Sequence, residues 1–565
     1  MVRLQDKPFC LDHEQTEWVN KTLANMSTED KVGQLFCLSA YQGNEEEAAQ
    51  TYRVLKPGGV MYRPMKTEEA VALTGVFDRY AEIPLLIAAS LEKGGNGIAE
   101  EGTLLDAPLG IAATDDPGMA EKLGIICGRE GAAVGANWAF APIIDIDNNF
   151  RNPITNTRTF GSDPERVKAM GVAYVKAVQS LGLAASIKHF PGDGMDERDQ
   201  HLVSSINSLS CEDWMATYGS IYKACIDAGA LTCMIGHILQ PAWSKRLDPS
   251  LKDEDILPAS LSPELKQGLL RGELGFNGLI VTDATTMAGF TIPMPREKAV
   301  PYSVASGADM FLFSKNLQED YGFMKAGVEN GLITQERLDE AVTRIFAVKA
   351  ALGLHRKKPL PTAQTARKVV GCAEHKQWAK ECAEKAVTLV KEEKGVLPLS
   401  KEKYRKILYY PIESEQGVAY SVKAGVRDHF RELLEKEGFE VDTFQPPVKG
   451  LEGLLSSVNE IVEKYDLILY LANMSTKSNQ TTVRIEWAQP MGANVPTYMS
   501  QVPTVFISVE NPYHLLDVPR VKTFINAYNS SDENLNAILD KLMGRSEFIG
   551  KNPIDPFCGK WDTRL

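Results

Sequence analysis

Through the first 355 residues, short apolar runs alternate with amphipathic segments. The runs are GQLFCLSA (33–40), GGVMY (58–62), LLIAAS (85–90), WAFAPIIDI (138–146), AASIKHF (184–190), LTCMIGHI (231–238), GLIVTDA (278–284) and MFLFS (310–314). Between them lie helical patterns such as PERVKAMGVAYVKAVQSLG (164–182). Near-continuous apolar strands are what a parallel sheet covered on both faces requires. Eight of them, each followed by a helix, predict a closed (β/α)8 TIM-like barrel over residues 1–355. A doubly wound open sheet is the competing arrangement.

After AALGLH (350–355) comes HRKKPLPTAQTARK, basic and proline-bearing, which reads as a linker over 356–375. A second pattern follows over 376–565. Its runs are AVTLVKEE (386–393), KILYYPIE (406–413), FEVDTFQ (439–445), LILYLANM (467–474), PTVFISVE (503–510) and VKTFINAY (521–528). Helical stretches such as GVRDHFRELLEKEG (425–438) separate them, so the prediction is an open three-layer α/β/α sandwich. Neither an internal repeat nor a low-complexity tract interrupts the two patterns.

Length agrees with two domains, because 565 residues exceed the ~250–300 that one core accommodates. A net charge of −13 argues against nucleic acid or an anionic membrane surface as partner. The opening MVRLQDKPFC has no apolar signal-like stretch, and no run approaches the ~20 apolar residues of a membrane span. The expected location is cytoplasmic. Nine cysteines are dispersed without a CxxC pair, and HExxH is absent. Reduced thiols and no metal centre are therefore expected.

In a barrel, reactive groups sit at the carboxyl ends of strands. The polar residues ending the runs are Glu92 and Lys93, Asp145 and Asp147, Lys188 and His189, His237, and Asp283. Of eight histidines, His189, His201 and His237 all fall in this set or on its loops. The segment KHFPGDGMDERDQH (188–201) is broken by Pro191, Gly192 and Gly194 and reads as a charged loop. If it is extended, Asp199 and His201 lie on one side, where the carboxylate can accept from one ring nitrogen and leave the other to donate outward. A solvated loop with a local Asx-type bond is the alternative. Asp283 closes an apolar run, and Lys188 or Arg158 nearby would keep it ionised as a nucleophile needs. It could equally cap a helix starting near Thr285. His375, His429 and His514 read as structural.

These residues carry a resemblance. KHFPGDGMDERDQH resembles the KHFPGHGxxxxDxH segment of glycoside hydrolase family 3, in its β-N-acetylglucosaminidase branch. ANWAFAPIIDID (136–147), TRTFGSDPERV (157–167), LPASLS (257–262), LRGELGFNGLIVTDATTMAG (270–289) and KAVTLVKEEKGVLPL (385–399) extend it along nearly the whole chain. The resemblance implies Asp283 as nucleophile and His201 with Asp199 as the acid/base dyad. It also implies that Lys188, His189 and Arg158 hydrogen-bond the hydroxyls of the terminal sugar. Two departures stand out. Where the branch has DQEGG, this chain has SLEKGG (90–95), so Ser90 or Leu91 stands in place of the gripping aspartate, and either Glu92 takes over the grip or the pocket accepts a different glycone; and the histidine of PGHG is Asp193. His237 and Asp145 complete the candidate sugar-binding set.

The implied activity is retaining hydrolysis of a terminal β-linked sugar, foremost N-acetylglucosamine, through a glycosyl-Asp intermediate and without metal or organic cofactor. A histidine acid repels phosphate less than a carboxylate does, so a phosphorylase is the second enzyme reading. A β-glucosidase or β-xylosidase of the same family and a non-catalytic sugar-binding homologue are the remaining alternatives.

Overall fold

The computed structural model describes residues 2–565 except 40–44, 358, 414–424, 446–456, 477, 480–483 and 488–491. Ala40 of the first apolar run and Lys358 of the expected linker lie outside the described residues. The chain falls into two compact units. The first comprises 1–105, 117–155 and 163–376; the second comprises 106–116, 156–162 and 377–565.

The first unit is the barrel. Its strands are β1 (Phe36–Ser39), β2 (Gly59–Met61), β3 (Leu86–Ala89), β4 (Trp138–Ala139), β5 (Ala184–Phe190), β6 (Thr232–Ile235), β7 (Leu279–Thr282) and β8 (Phe311–Leu312), all parallel and in sequential order. β8 pairs with β1, and Met310 bridges Val281 of β7, which closes the ring. The open-sheet alternative is thereby excluded. Every predicted run of this half contains one barrel strand. β4 is only two residues long, because Pro142 lacks the amide needed to extend the ladder. Its line is resumed by a parallel bridge between Ile143 and Lys188, which keeps Asp145 beside the end of β5. Trp138, fully buried, fills the interior and donates its indole N–H to Thr232 Oγ1 at 2.9 Å. Such a filled interior leaves the carboxyl rim as the place for chemistry.

The expected linker is not bare chain: it holds a helix, Ala363–Val369, capped by Thr362. The second unit has the strands β9 (Thr388–Lys391), β10 (Lys406–Glu413), β11 (Glu440–Thr443), β12 (Leu467–Asn473), β13 (Thr504–Ser508) and β14 (Thr523–Asn526), in the order β9-β14-β13-β12-β10-β11. β9 runs antiparallel to its neighbour, and the other pairs are parallel. Parallel register sets Tyr410, Tyr470, Phe506 and Phe524 side by side, and the rings stack at 4.5, 5.5 and 5.3 Å. The opposite face buries Tyr409, Leu469, Leu471, Val505, Ile507 and Ile525. Coverage on both faces explains why the central strands β12, β13 and β14 read as unbroken apolar runs, while the edge strand β11 (EVDT) does not.

Two short segments from the first third of the chain belong to this second unit. Asn156 donates to Asn511 Oδ1 at 3.1 Å, Ser162 N donates to Pro553 O at 3.0 Å, and Lys551 N donates to Ala113 O at 2.9 Å. Gly161 permits the close approach: a Cβ there would lie 2.3 Å from the Pro553 carbonyl oxygen. Among the described residues no helix is long and apolar enough to cross a membrane.

Candidate active site

Asp283 follows β7 directly, its amide donating to Ile235 O at 2.8 Å. Its Oδ1 accepts the Ala284 amide at 2.7 Å, and its side chain stays 14% exposed. It does not cap a helix: the next one begins at Ala288 with Met287 at the cap, so the helix-cap alternative fails. Burial pushes the Asp283 carboxyl up, but the imidazoles of His189, His237 and His201 outweigh it and hold the carboxyl below its ordinary value.

His189 reaches that carboxylate from β5, with Nε2 at 3.9 Å from Asp283 Oδ2. Its Nδ1 donates to Asp145 Oδ2 at 2.7 Å, and its backbone N donates to Asp145 Oδ1 at 3.1 Å. A carboxylate can only accept, so Asp145 takes the Nδ1 proton and turns Nε2 toward Asp283. Lys188, the preceding residue, points to Glu92 after β3, Nζ to Oε1 at 2.6 Å, with the two side chains 5% and 14% exposed. A lysine and a glutamate this buried are stable only as a pair.

Asp199 and His201 meet as expected, but not through an extended segment. Residues 199–203 form a turn, Leu202 N and Val203 N both donating to Asp199 O. Asp199 Oδ1 accepts the His201 amide at 2.8 Å and its ring Nδ1 at 2.6 Å. The Asx-type bond of the bland alternative is thus present, yet Asp199 itself is withdrawn from solvent at 3% exposure, while Glu197 and Arg198 before it stay exposed. Ala288 N donates to His201 O at 3.0 Å, tying the turn to the segment that follows Asp283.

His237, just past the end of β6, is fully buried, and burial lowers its pKa. Its Nε2 donates to Ala284 O at 3.1 Å, so Nδ1 accepts from Ser260 Oγ at 2.9 Å. Both nitrogens therefore serve protein groups, and the ring braces the backbone next to Asp283. Arg158 is half-buried in a short turn, Asn156–Arg158, of the second unit.

Pattern reasoning gave no role to three further residues. Asp193 and Gln200 are buried at 2% and 1% exposure, and Tyr218 is fully buried. Tyr218 donates to Asp193 O at 2.7 Å. Only the departure from PGHG singled out Asp193; nothing local distinguishes Gln200 or Tyr218.

The family model for the glycosyl hydrolase family 3 N terminal domain matches residues 27–348, a span that contains every residue just described. A Cellulomonas fimi protein named beta-N-acetylglucosaminidase/beta-glucosidase is 50% identical over 566 residues, covering 100% of both chains. The chain belongs to glycosyl hydrolase family 3. A Pseudoalteromonas piscicida beta-hexosaminidase A is 29% identical over 59% of this chain and 58% of its own. Among solved structures, a beta-glucoside phosphorylase, BglX, superposes with TM-score 0.93 and 47% identity over 99% of each chain. The Paenibacillus family 3 beta-N-acetylglucosaminidase, at 24% identity and TM-score 0.78 over 95% of this chain and 100% of its own, shares the fold.

Proposed function

We propose that this family 3 glycosidase is a retaining exo-β-glycosidase that removes a terminal β-linked N-acetylglucosamine or glucose. Asp283 attacks the anomeric carbon, forming a glycosyl-Asp283 ester as the bond to the leaving oxygen breaks, while His201 Nε2 delivers a proton to that oxygen. In the second step His201 takes a proton from the incoming acceptor, which reopens the ester with net retention. Asp199 sets the imidazole's tautomer and stabilises its cation, the role of a triad aspartate. Lys188, His189 and Glu92 grip the sugar's hydroxyls; Asp145 and His237 hold the groups around them.

The observation that carries this reading is geometric: a strand-end carboxylate, held below its ordinary value, faces His189 Nε2 at 3.9 Å, and the nearby His201 ring is oriented by a carboxylate at 2.6 Å. An ionised group is a nucleophile, and a tautomer-fixed imidazole is an acid and base near neutrality. The experiment is a leaving-group series with His201→Ala. Its loss should grow, up to about 10²–10⁴-fold, as the leaving group worsens. Equal loss across the series removes His201 from the acid role.

A second reading, phosphorolysis, is favoured by the full-length likeness at 47% identity to the beta-glucoside phosphorylase. Phosphate would then replace water at the same glycosyl-enzyme. Turnover in phosphate buffer followed by phosphorus NMR separates the two: sugar 1-phosphate marks a phosphorylase, and free sugar alone marks a hydrolase.

A further inference from the structure

Between the two members of the dyad sits Gln200, whose side chain lies buried on the protein side of the turn. Its Oε1 accepts the His237 amide at 2.8 Å, and its Nε2 donates to Asp193 Oδ2 at 3.2 Å. Its carbonyl accepts Gly289 N at 3.2 Å. Glycines make the room: a Cβ at Gly289 would lie 2.5 Å from Gln200 O, and one at Gly236 would lie 3.0 Å from Gln200 Oε1.

Asp193 is fastened from the other side. Its Oδ1 accepts Asn152 Nδ2 at 2.9 Å and Gly194 N at 2.7 Å, and its own amide donates to Asp145 Oδ1 at 2.8 Å. An unbroken buried path therefore runs from His189, beside Asp283, through Asp145, Asp193 and Gln200 to the turn bearing Asp199 and His201. Its polarity is fixed. The His237 amide can only donate, so it must face Gln200 Oε1; Nε2 must then face Asp193, whose Oδ2 must accept. Burial, with the neighbouring Asp145 charge, pushes the Asp193 carboxyl up to about 7, so this acceptor is kept at an electrostatic cost.

We propose that Asp193 and Gln200 form a latch that positions the Asp199/His201 dyad against Asp283, and that the aspartate standing where the resembled segment has histidine is what sets the latch's donor–acceptor sense. The proposal rests on the acid/base reading of the dyad. Neither residue touches substrate; both act through His201.

The test exchanges donor and acceptor. Asp193→Asn sets one amide NH2 against another, and Gln200→Glu sets two carboxylates together. The double variant D193N/Q200E restores complementarity: the introduced amide donates to the introduced carboxylate, which still accepts from the His237 amide. Each single variant should lose about 10–100-fold in kcat/KM on alkyl glycosides, which need the acid. The loss should shrink to a few-fold on 2,4-dinitrophenyl glycosides, which do not. The double variant should recover most of the loss. A double variant no better than the worse single, or losses equal for both leaving groups, overturns the latch. A double variant that folds where a single does not supports it. His201→Ala, assayed alongside, separates the two ideas: if it shows no dependence on leaving group, the dyad reading fails; if it does while the latch variants do not, only the latch fails.

Discussion

Gly194 lets the loop pass close to the segment after β4, and Gly194→Ala tests whether that path matters. Its φ is +104°, a conformation in which an L side chain is strained at about 1–2 kcal/mol. The space is worse than the strain. A Cβ would fall 1.8 Å from Ile146 O, where ordinary contact begins at 3.4 Å, so one backbone must retreat by more than an ångström. Overpacking of this kind costs about 1–3 kcal/mol. The sum, roughly 2–5 kcal/mol, should lower the barrel's unfolding temperature by several degrees. Function should suffer more. Ile146 adjoins Asp145, and Gly194 adjoins Asp193, so the forced retreat pulls apart the two residues that join His189 to the dyad. A displacement near 1 Å at a reacting group costs about 10²-fold in rate. Differential scanning calorimetry with aryl-glycoside kinetics reads both effects. A G194A protein with unchanged melting and unchanged kcat would refute the claim that this loop is held rigidly against β4's extension.

Glu92→Gln removes the counter-charge of a buried lysine; it should cost about 3 kcal/mol of stability and raise KM more than it lowers kcat, as denaturant melts and steady-state kinetics would show. Unaltered stability would mean that Lys188 does not depend on Glu92. In the second unit, burial raises the Asp106 carboxyl to about 7, partly opposed by bonds from Asn534, the Ala107 amide and Asn529. Its folded pKa lies above the unfolded ~3.9, so the folded state holds the extra proton, and the stability it contributes is present below about pH 4 and lost as pH rises through about 7. Melts of Asp106→Asn across roughly pH 4–7 should therefore lose less stability with rising pH than those of the native protein, and equal losses would contradict the assignment.

The barrel strands and the central strands of the second sheet were legible because both faces are covered, which writes an unbroken apolar run. Asp283, Lys188, His189 and His237 were legible because each ends such a run. Asp199 and His201 were paired by spacing, while only the family resemblance suggested a role for them; a turn rather than an extended segment brings them together, and a two-residue offset serves both. Gln200, Tyr218 and the segments 106–116 and 156–162 were not legible. Their partners lie far along the chain, as Asp193–Tyr218, Gln200–His237 and Asn156–Asn511 do, and periodicity records only local burial. The departure of Asp193 from the family's histidine was visible, but its meaning needed the Gln200 amide next to it.

The glycosyl-enzyme itself is the most direct measurement. Incubation with a 2-deoxy-2-fluoro-β-glucosyl fluoride, followed by intact-protein mass and peptide mapping, should show one added fluorosugar on the peptide carrying Asp283. Label on any other carboxylate, or turnover of good substrates by an Asp283→Ala protein, would contradict the account.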